Sequence, residues 1–340
     1  MCPLAVSSWF VKIFSGILVK ITFIAWTRFQ SRSEHLAQHL RSSLHFICHG
    51  RHGRLAAAPL RYVSQAWRTW RVLRQEEPAV VFIQNPPIFC VLICSIYSFL
   101  HHARYVIDSH TGAFLSRNWA WSRPLHRVLS RSALTTIVHN EAQAEIVDRW
   151  RCGHLILHDY PGSNPTGEEC SLDGHFNVAV VGSFAEDEPL EAVFDAARGL
   201  SQVDFYVTGD SRQIAPGLLA KKPENARLTG YLPYPQYLGL LGAADFVLAL
   251  TTRNDTLLSG ASEAVSVGTP LIVSDWPILR SRFALGTVHV PNTKEGILEG
   301  VRQARKEQGS LGRGILILRD QLHSEWKQEF SELQKLLSQV

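Results

Sequence analysis

Cysteine is scarce and scattered in this sequence. The six cysteines (Cys2, Cys48, Cys90, Cys94, Cys152 and Cys170) form no C-x-x-C pair. That argues against a disulfide frame and for reduced thiols in a cytosolic enzyme. Zinc is disfavoured too. His45 and His49 are four residues apart, but in a strand-like run that spacing does not put them on one helical face. No G-x-G-x-x-G follows an apolar strand, no G-x-x-x-x-G-K-[ST] occurs and no G-x-S-x-G occurs, which argues against a dinucleotide fingerprint, a P-loop and a serine-hydrolase elbow. Zinc-finger, basic-zipper and RNP-type motifs are missing as well, so nucleic acid is not the expected partner.

Acids are nearly absent from the first part of the chain. Up to residue 75 the basic residues are Lys12, Lys20, Arg28, Arg32, Arg41, Arg51, Arg54, Arg61, Arg68, Arg71 and Arg74, against the single acid Glu34. The run from Glu168 to Asp210 is instead dominated by acids, so the overall net charge of +4 conceals an asymmetry. Such a split predicts that one half of the molecule faces something anionic. The segment "RYVSQAWRTWRVLRQ" sets Trp67 and Trp70 among arginines on a predicted helix, a composition suited to the headgroup layer of a membrane. A core-packing helix with a solvated basic face is the plainer alternative.

Long apolar runs of spanning length are also lacking. Lys12 and Lys20 interrupt "MCPLAVSSWFVKIFSGILVKITFIAW", which has neither a basic start nor a small-residue cleavage site. "KITFIAW" reads as the first strand. Residues 1–19 read as an extension lying on the membrane or as the product of a start codon assigned too early.

What is present is alternation. With 46% apolar and 19% charged residues in 340, the chain is globular and long enough for two domains. Strand-like "KITFIAW", "SLHFIC", "AVVFIQN", "ARYVIDSH", "LTTIVHN" and "HLILHD" are separated by helical segments. After the Pro-, Gly- and Ser-rich "YPGSNPTGEECSLDGH" the pattern restarts with "FNVAVVGSF", "VDFYVTGD", "ARLTGYLP" and "FVLAL". Continuous apolar strands between helices predict parallel sheets covered on both faces. The expected architecture is α/β, two doubly wound Rossmann-like domains facing across a cleft. Its expected parts are an acceptor-side domain over 20–160, a linker over 161–176, a donor domain over 177–312 and a C-terminal helix over 313–340 that crosses back. The amphipathic pattern of that helix starts at "LRDQLHSEW".

Ligands bind such sheets beyond the carboxyl ends of their strands. At those ends stand Gln84 to Pro87, Asp108 to Gly112, Gly182 and Ser183, Gly209 and Asp210, and Thr251 to Glu263. In the last of these, "TTRNDTLLSGASEAVSVGTPLIVSD", a loop runs into the short helix "ASEAVSV", Gly268 stops it and "LIV" follows as a buried strand. That reading explains the apolar residues but not Asp255 and Glu263.

The stretch resembles the donor-site signature of GT-B glycosyltransferases, especially the large family 4 group: an acid, seven residues, a glutamate, then Ala, small residues, Gly-x-Pro and an apolar strand. The resemblance implies that Glu263 accepts hydrogen bonds from the ribose of a nucleotide sugar and that Asp255 faces the donor sugar. It also implies that backbone N–H groups at Ser259, Gly260 and Ala261 meet the diphosphate. "VVGSF" and "FYVTGD" resemble the first strands of that donor domain, which adds Gly182, Ser183, Gly209 and Asp210 to the donor side. "VFIQNPP" and "VIDSHTGAF" are similar to parts of the chitobiosyldiphosphodolichol β-mannosyltransferases, adding Asn85, Thr111 and Gly112 on the acceptor side. His110 is then a candidate base on an acceptor hydroxyl or a support for the transferred sugar, with Asp108 orienting it.

Two departures qualify the resemblance. Asp255 stands where family 4 usually has Glu. The loop "GSFAEDEP" has three acids and none of the Arg and Lys that many members use against the diphosphate, so Arg253 is expected to supply the charge, the alternatives being Arg212, a metal, or weak donor binding. Plainer roles are a surface acid for Glu263, a turn acid for Asp255, a buried histidine for His110, a strand end for Asn85, Pro86 and Pro87, and an N-cap with its first-turn acid for Asn140 and Glu141. The implied function is hexosyl transfer from a nucleotide-diphosphate sugar to a polyprenyl-linked, glycolipid or polysaccharide acceptor in cell-envelope synthesis. The protein would be cytoplasmic, peripheral at the inner face of the membrane, with no cofactor or required metal. The rival readings are a non-catalytic nucleotide-sugar-binding protein and a nucleotide-sugar epimerase.

Overall fold

The structure, a computed structural model, describes residues 11–12, 18–48, 58–162 and 167–340. His49 and most of the 1–19 extension lie outside the described residues. Within that extension β1 (Val11–Lys12) pairs antiparallel with β2 (Leu18–Val19).

Contacts divide the chain into two units, one reaching Tyr160 and including Trp326–Val340, the other Pro161–Glu325. The first unit carries β3 (Ile21–Ala25), β4 (Ser43–Phe46), β5 (Val80–Asn85), β6 (Arg104–Ser109), β7 (Thr135–Val138) and β8 (His154–Ile156). They form one parallel sheet in the order β4-β3-β5-β6-β7-β8. The central strands β3 and β5 are buried along their whole length, as their unbroken apolar runs require when helices cover both faces. Phe23, Phe82, Val106 and Ile137 pack on one face, and Ile24, Ile83, Val91 and Leu73 on the other. The polar exception in β3, Thr22, gives its hydroxyl to Glu76, which also accepts from Ser43 and lies 2.5 Å from the His45 ring.

In the second unit β9 (Asn177–Val181), β10 (Asp204–Thr208), β11 (Ala226–Gly230), β12 (Phe246–Ala249), β13 (Leu271–Ser274) and β14 (Thr287–Val290) are again all parallel, in the order β11-β10-β9-β12-β13-β14. Chain order therefore reverses between β9 and β12, as in a doubly wound nucleotide-binding fold. Between β8 and β9 the described residues form neither helix nor strand.

Two helices begin earlier than their patterns predict. The helix expected at "ASEAVSV" is Ser259–Val267, closed by Gly268 at φ +82°. The last helix runs over Gln308–Leu337, ten residues ahead of the amphipathic pattern. Its opening "QGSLGRG" reads as loop because of its glycines. At position 314 glycine has a packing role instead: a Cβ there would lie 2.6 Å from the Gly286 nitrogen, so the helix can cross that backbone only without a side chain. Beyond this crossing Ile315, Leu318 and Leu322 pack in the core of the second unit, and Trp326, Phe330, Leu333 and Leu337 in that of the first. Among the described residues no helix is long and apolar enough to cross a membrane.

Candidate functional site

In the second unit the carboxyl ends of β9 and β12 flank the reversal of strand order, where such sheets bind ligands. Gly182 and Ser183 follow β9; Thr251, Arg253 and Asp255 follow β12. Asp187 ties the two loops together. It accepts from the Thr251 hydroxyl at 2.9 Å, and its other carboxylate oxygen lies 3.1 Å from the Arg253 guanidinium. Thr251 is held from behind as well, its N–H on Ser274 at 2.9 Å and its carbonyl accepting from Trp276 and Asn292 at 2.8 Å each. Arg253, expected to meet a diphosphate, is thus half-exposed and already paired with an acid of the neighbouring loop. Arg212, the alternative, makes a two-point pair with Asp210 just after β10, both contacts at 2.7 Å.

The loop "GSFAEDEP" contains its own anion. The Glu188 carboxylate accepts from the N–H groups of Ser183 (2.8 Å), Phe184 (2.7 Å) and Ala185 (3.3 Å), and from the Ser183 hydroxyl at 2.8 Å. Phe184 takes a left-handed φ of +62°, which turns consecutive amides inward. Such a concavity binds anions. Here the protein's own carboxylate fills it.

The helix Ser259–Val267 starts against the end of β9. A Cβ on Gly260 would lie 2.5 Å from Val181 Cγ1, so glycine alone permits this approach. Its N-cap, Leu258, offers no side-chain acceptor. Ser259 is exposed, while Gly260 and Ala261 are buried. One turn further in, half-buried Glu263 accepts a 2.9 Å hydrogen bond from Tyr237, on the helix Tyr234–Ala243. Burial first, then the charge of Glu263, pushes the Tyr237 hydroxyl well above its ordinary range, so it stays a donor. Asp255 lies exposed in the loop before the helix.

In the first unit the expected Asp108 and His110 do meet, with His110 Nε2 3.3 Å from Asp108 Oδ2. The dominant partner of Asp108 is one that sequence reasoning missed. Arg32 reaches it through Nε and Nη2 at 3.1 to 3.3 Å, contacts Asp159 at 2.9 Å and donates to the Leu157 carbonyl at 2.9 Å. Burial raises the Asp108 carboxyl, but Arg32 and His110 outweigh it and hold the group well below the usual carboxylate range. His139 packs edge-on against His110, centroids 4.7 Å apart, with Nε2 3.8 Å from Asp108. Burial, reinforced by Arg32, lowers His139 to about 4, which keeps it neutral. Donor atoms of Asp108, His110 and His139 lie within 4.8 Å of one another, close enough to hold a cation. Arg32 already offsets part of the negative charge there, which comes from two carboxylates, Asp108 and Asp159.

The Gln30 amide packs against the His110 ring. Its oxygen accepts from Ser33 at 2.7 Å, leaving its NH₂ 3.0 Å from His110 Nδ1. The same NH₂ lies 3.3 Å from Nε2, the nitrogen that faces Asp108. Gln30 therefore takes the space beside the ring nitrogens that an acceptor hydroxyl would need. Asn85 is buried, with its amide on Ser109 (3.4 Å) and the His126 ring (3.2 Å), and its carbonyl takes the His110 N–H at 2.8 Å. Thr111 accepts from Gln143 at 2.9 Å, and Gly112 lies against Pro86. Asn140 caps its helix through Gln143 N–H at 3.0 Å.

No protein-family model matches the sequence, and no curated protein matches it significantly. Solved structures do. Sucrose-phosphate synthase from Thermosynechococcus elongatus superposes with a TM-score of 0.73 at 12% identity, over 94% of this chain and 98% of that one. HepE from Anabaena, in complex with UDP and glucose, gives 0.71 at 12% identity over 95% and 100%. The fold is GT-B. A putative UDP-N-acetylglucosamine 2-epimerase from Listeria monocytogenes shares it at a TM-score of 0.58 and 12% identity, covering 92% and 97%. Within this GT-B chain, Asp187, Glu188 and Tyr237 organise the carboxyl-end loops of the second unit. Asp187 and Tyr237 act through partners far along the chain, Thr251 and Glu263, and Glu188 through the amides of its own loop, so composition alone assigned a role to none of them.

Proposed function

We propose that the protein is a glycosyltransferase of the family 4 type that moves a hexosyl group from a nucleotide-diphosphate sugar to a membrane-associated glycan or lipid-linked acceptor. The observation that carries this reading is Glu263, half-buried one turn inside a helix that starts against β9 at the reversal of strand order. A carboxylate there suits the two ribose hydroxyls, and the first turn of the helix suits the diphosphate. Ser259, Gly260 and Ala261 line that turn, Gly182, Ser183, Gly209 and Asp210 belong to the adjoining strand ends, and Asp255 faces the donor sugar. Arg253 compensates the leaving diphosphate once it exchanges Asp187 for it.

In the reaction the bond from the anomeric carbon to the diphosphate oxygen breaks and an acceptor hydroxyl forms the new bond. The hydroxyl proton passes to His110 Nδ1 after Gln30 is displaced. Asp108 then stabilises the charged ring through Nε2, and Thr111 and Gly112 border the acceptor. The protein acts in the cytoplasm at the inner face of the membrane, its basic Trp-rich half toward the lipid.

Calorimetric titration of UDP, GDP, ADP and dTDP tests the donor half. One nucleotide binding the wild type and not Glu263→Ala supports the reading; binding by none sinks it. Two observations favour other outcomes. Glu188 in the amide concavity favours a non-catalytic binder, and the Listeria neighbour favours an epimerase. Conversion of the nucleotide sugar to its epimer without any acceptor would select the epimerase, and glycosyl transfer or slow hydrolysis of the donor would exclude the non-catalytic binder.

A further inference from the structure

The helix Ile88–His101, "IFCVLICSIYSFLH", contains no Asp, Glu, Lys or Arg, yet it is not enclosed. Phe99 is 83% exposed, and Ile96 and Leu100 are exposed too. A groove lies along each side. Toward the helix Ala58–Glu76, Tyr62, Val63, Ala66, Phe89 and Ile96 border a groove of about 540 Å³ floored by Trp26. Toward the helix Arg123–Ser132, Leu92, Phe99, Leu100 and Val128 border a second of about 500 Å³. Leu60 (76% exposed) and Val63 (67%) extend the patch onto the first neighbouring helix, and Val128 onto the second. A contiguous exposed apolar patch of this kind marks an interaction surface.

The surrounding charge identifies the occupant. Residues 58–132 hold nine arginines, no lysine and three acids. Of those acids, Asp108 is buried with Arg32, and Glu76 is engaged by Thr22, Ser43 and His45. Arg71 lies 4.1 Å over the Trp67 ring and Arg61 5.2 Å over Tyr62, so these aromatics carry cations at the patch rim. A second copy of the chain would set nine more arginines against these. An anionic bilayer matches both features, phosphates for the arginine rim and hydrocarbon for the grooves.

We propose that the helices Ala58–Glu76, Ile88–His101 and Arg123–Ser132 form a docking face for anionic phospholipid, whose acyl chains enter the two grooves beside Ile88–His101. This deepens the membrane half of the function proposed above and rests on it only for where the acceptor is met. Nucleotide titration reads the second unit separately, so either half can fail while the other stands.

The test is flotation of the full chain with vesicles of phosphatidylcholine alone or mixed with phosphatidylglycerol, together with quenching of tryptophan emission by bromine-labelled acyl chains. Binding is expected only with phosphatidylglycerol, weakened but not abolished by salt, with tryptophan emission quenched through the exposed Trp67 and through exposed Trp121, whose ring packs on Phe89 at the first groove. Phe99→Ser with Leu100→Ser changes exposed residues and should lower partitioning roughly tenfold. Arg71→Gln with Arg74→Gln should lower it by roughly 5-fold per arginine. Circular dichroism of each variant must match the wild type. Three results overturn the proposal: binding to neither vesicle, binding to both vesicles alike whatever the salt, and charge-dependent binding without quenching or unchanged by the serine pair. A dimer in sedimentation velocity that persists with phosphatidylglycerol would assign the face to a second copy instead.

Discussion

Arg32 and Asp108 meet 3.1 Å apart inside the first unit, their side chains 5% and 0% exposed. The same guanidinium holds Asp159 at 2.9 Å. One fixed positive charge therefore holds a buried carboxylate, Asp108, and a partly buried one, Asp159, below the usual carboxylate range, and removing it takes that support from both. Arg32→Leu should cost about 3–5 kcal/mol of stability, since stranding a buried charge is what makes such a break expensive. Urea denaturation measures it, and a loss under about 1 kcal/mol would mean that the cluster rearranges at little cost.

The first unit should also lose stability in mild acid. His126 and His139 are lowered by burial to about 4, from an ordinary 6.5. Between those values the unfolded chain binds the protons and the folded chain does not, so stability rises with pH through that window. The slope is about 1.4 kcal/mol per pH unit for each histidine at full effect. Glu76, held near 2 against burial by His45, Ser43 and Thr22, adds a further loss below about 4.5. Midpoints of urea denaturation recorded from pH 7 to pH 4 should fall steadily. A flat profile down to pH 5 would contradict the neutral, buried state of both histidines.

Both sheets were legible because their strands are buried on two faces and so read as unbroken apolar runs. Asn140 was legible as an N-cap because capping is local, its oxygen meeting an N–H three residues on. The start of the last helix was not, since "QGSLGRG" carries glycine for a packing reason that only the Gly286 backbone reveals. The sequence reading also assigns nothing to Pro277–Arg282 and β14, which are six and four residues long. Nor does it assign Lys294–Lys306, although Ile297, Val301 and Ala304 bury one face of that helix at helical spacing and Thr293 caps it. For the site, strand ends pointed to the loops but not to the partners. Arg32 precedes Asp108 by 76 residues and Gln30 precedes His110 by 80. The acids of "GSFAEDEP" read as a missing phosphate site, yet Asp187 fastens two loops and Glu188 fills the amide concavity. Composition counts charges; it does not say which are already matched.

Tyr237→Phe separates the positioning of Glu263 from its contact with nucleotide. The hydroxyl touches the carboxylate at 2.9 Å, so removing it leaves the acid in place with one fewer restraint. Glu263→Ala should lower nucleotide affinity by 100-fold or more, in keeping with the roughly 2–4 kcal/mol carried by a desolvated charge-assisted hydrogen-bond pair. Tyr237→Phe should cost about 5- to 10-fold, the worth of about one such bond. Calorimetry with the cognate nucleotide reads both. Equal losses would make Tyr237 a contact residue instead.

Glu188→Gln asks whether the filled concavity competes with a diphosphate. Glutamine keeps the shape and one acceptor oxygen but removes the charge that the N–H groups of Ser183, Phe184 and Ala185 now receive. If the diphosphate approaches this loop, loss of a like charge beside it should raise nucleoside-diphosphate affinity about 5- to 10-fold, with little effect on the nucleoside alone. Unchanged affinity for both would show that Glu188 is structural and that the phosphates lie elsewhere.

Gln30 gives the most direct test of His110. Its amide lies 3.0 Å from Nδ1 and 3.3 Å from Nε2, so a hydroxyl reaches the ring nitrogens only by taking the place of Gln30. Gln30→Ala should remove that competitor, leaving kcat nearly unchanged and lowering the acceptor KM a few-fold. His110→Phe should lower kcat by 10²- to 10⁴-fold, the usual share of a general base, while nucleotide binding persists. Asp108→Asn replaces the carboxylate beside His110 Nε2 with a neutral group and should lower kcat as well. It also removes the charge that Arg32 answers, so it must be read beside its own denaturation curve. If His110→Phe leaves kcat within threefold of the wild type in a transfer assay, the ring is no base. The cluster around Asp108 would then be part of the scaffold, with Arg32 its centre and His110 merely its outermost member.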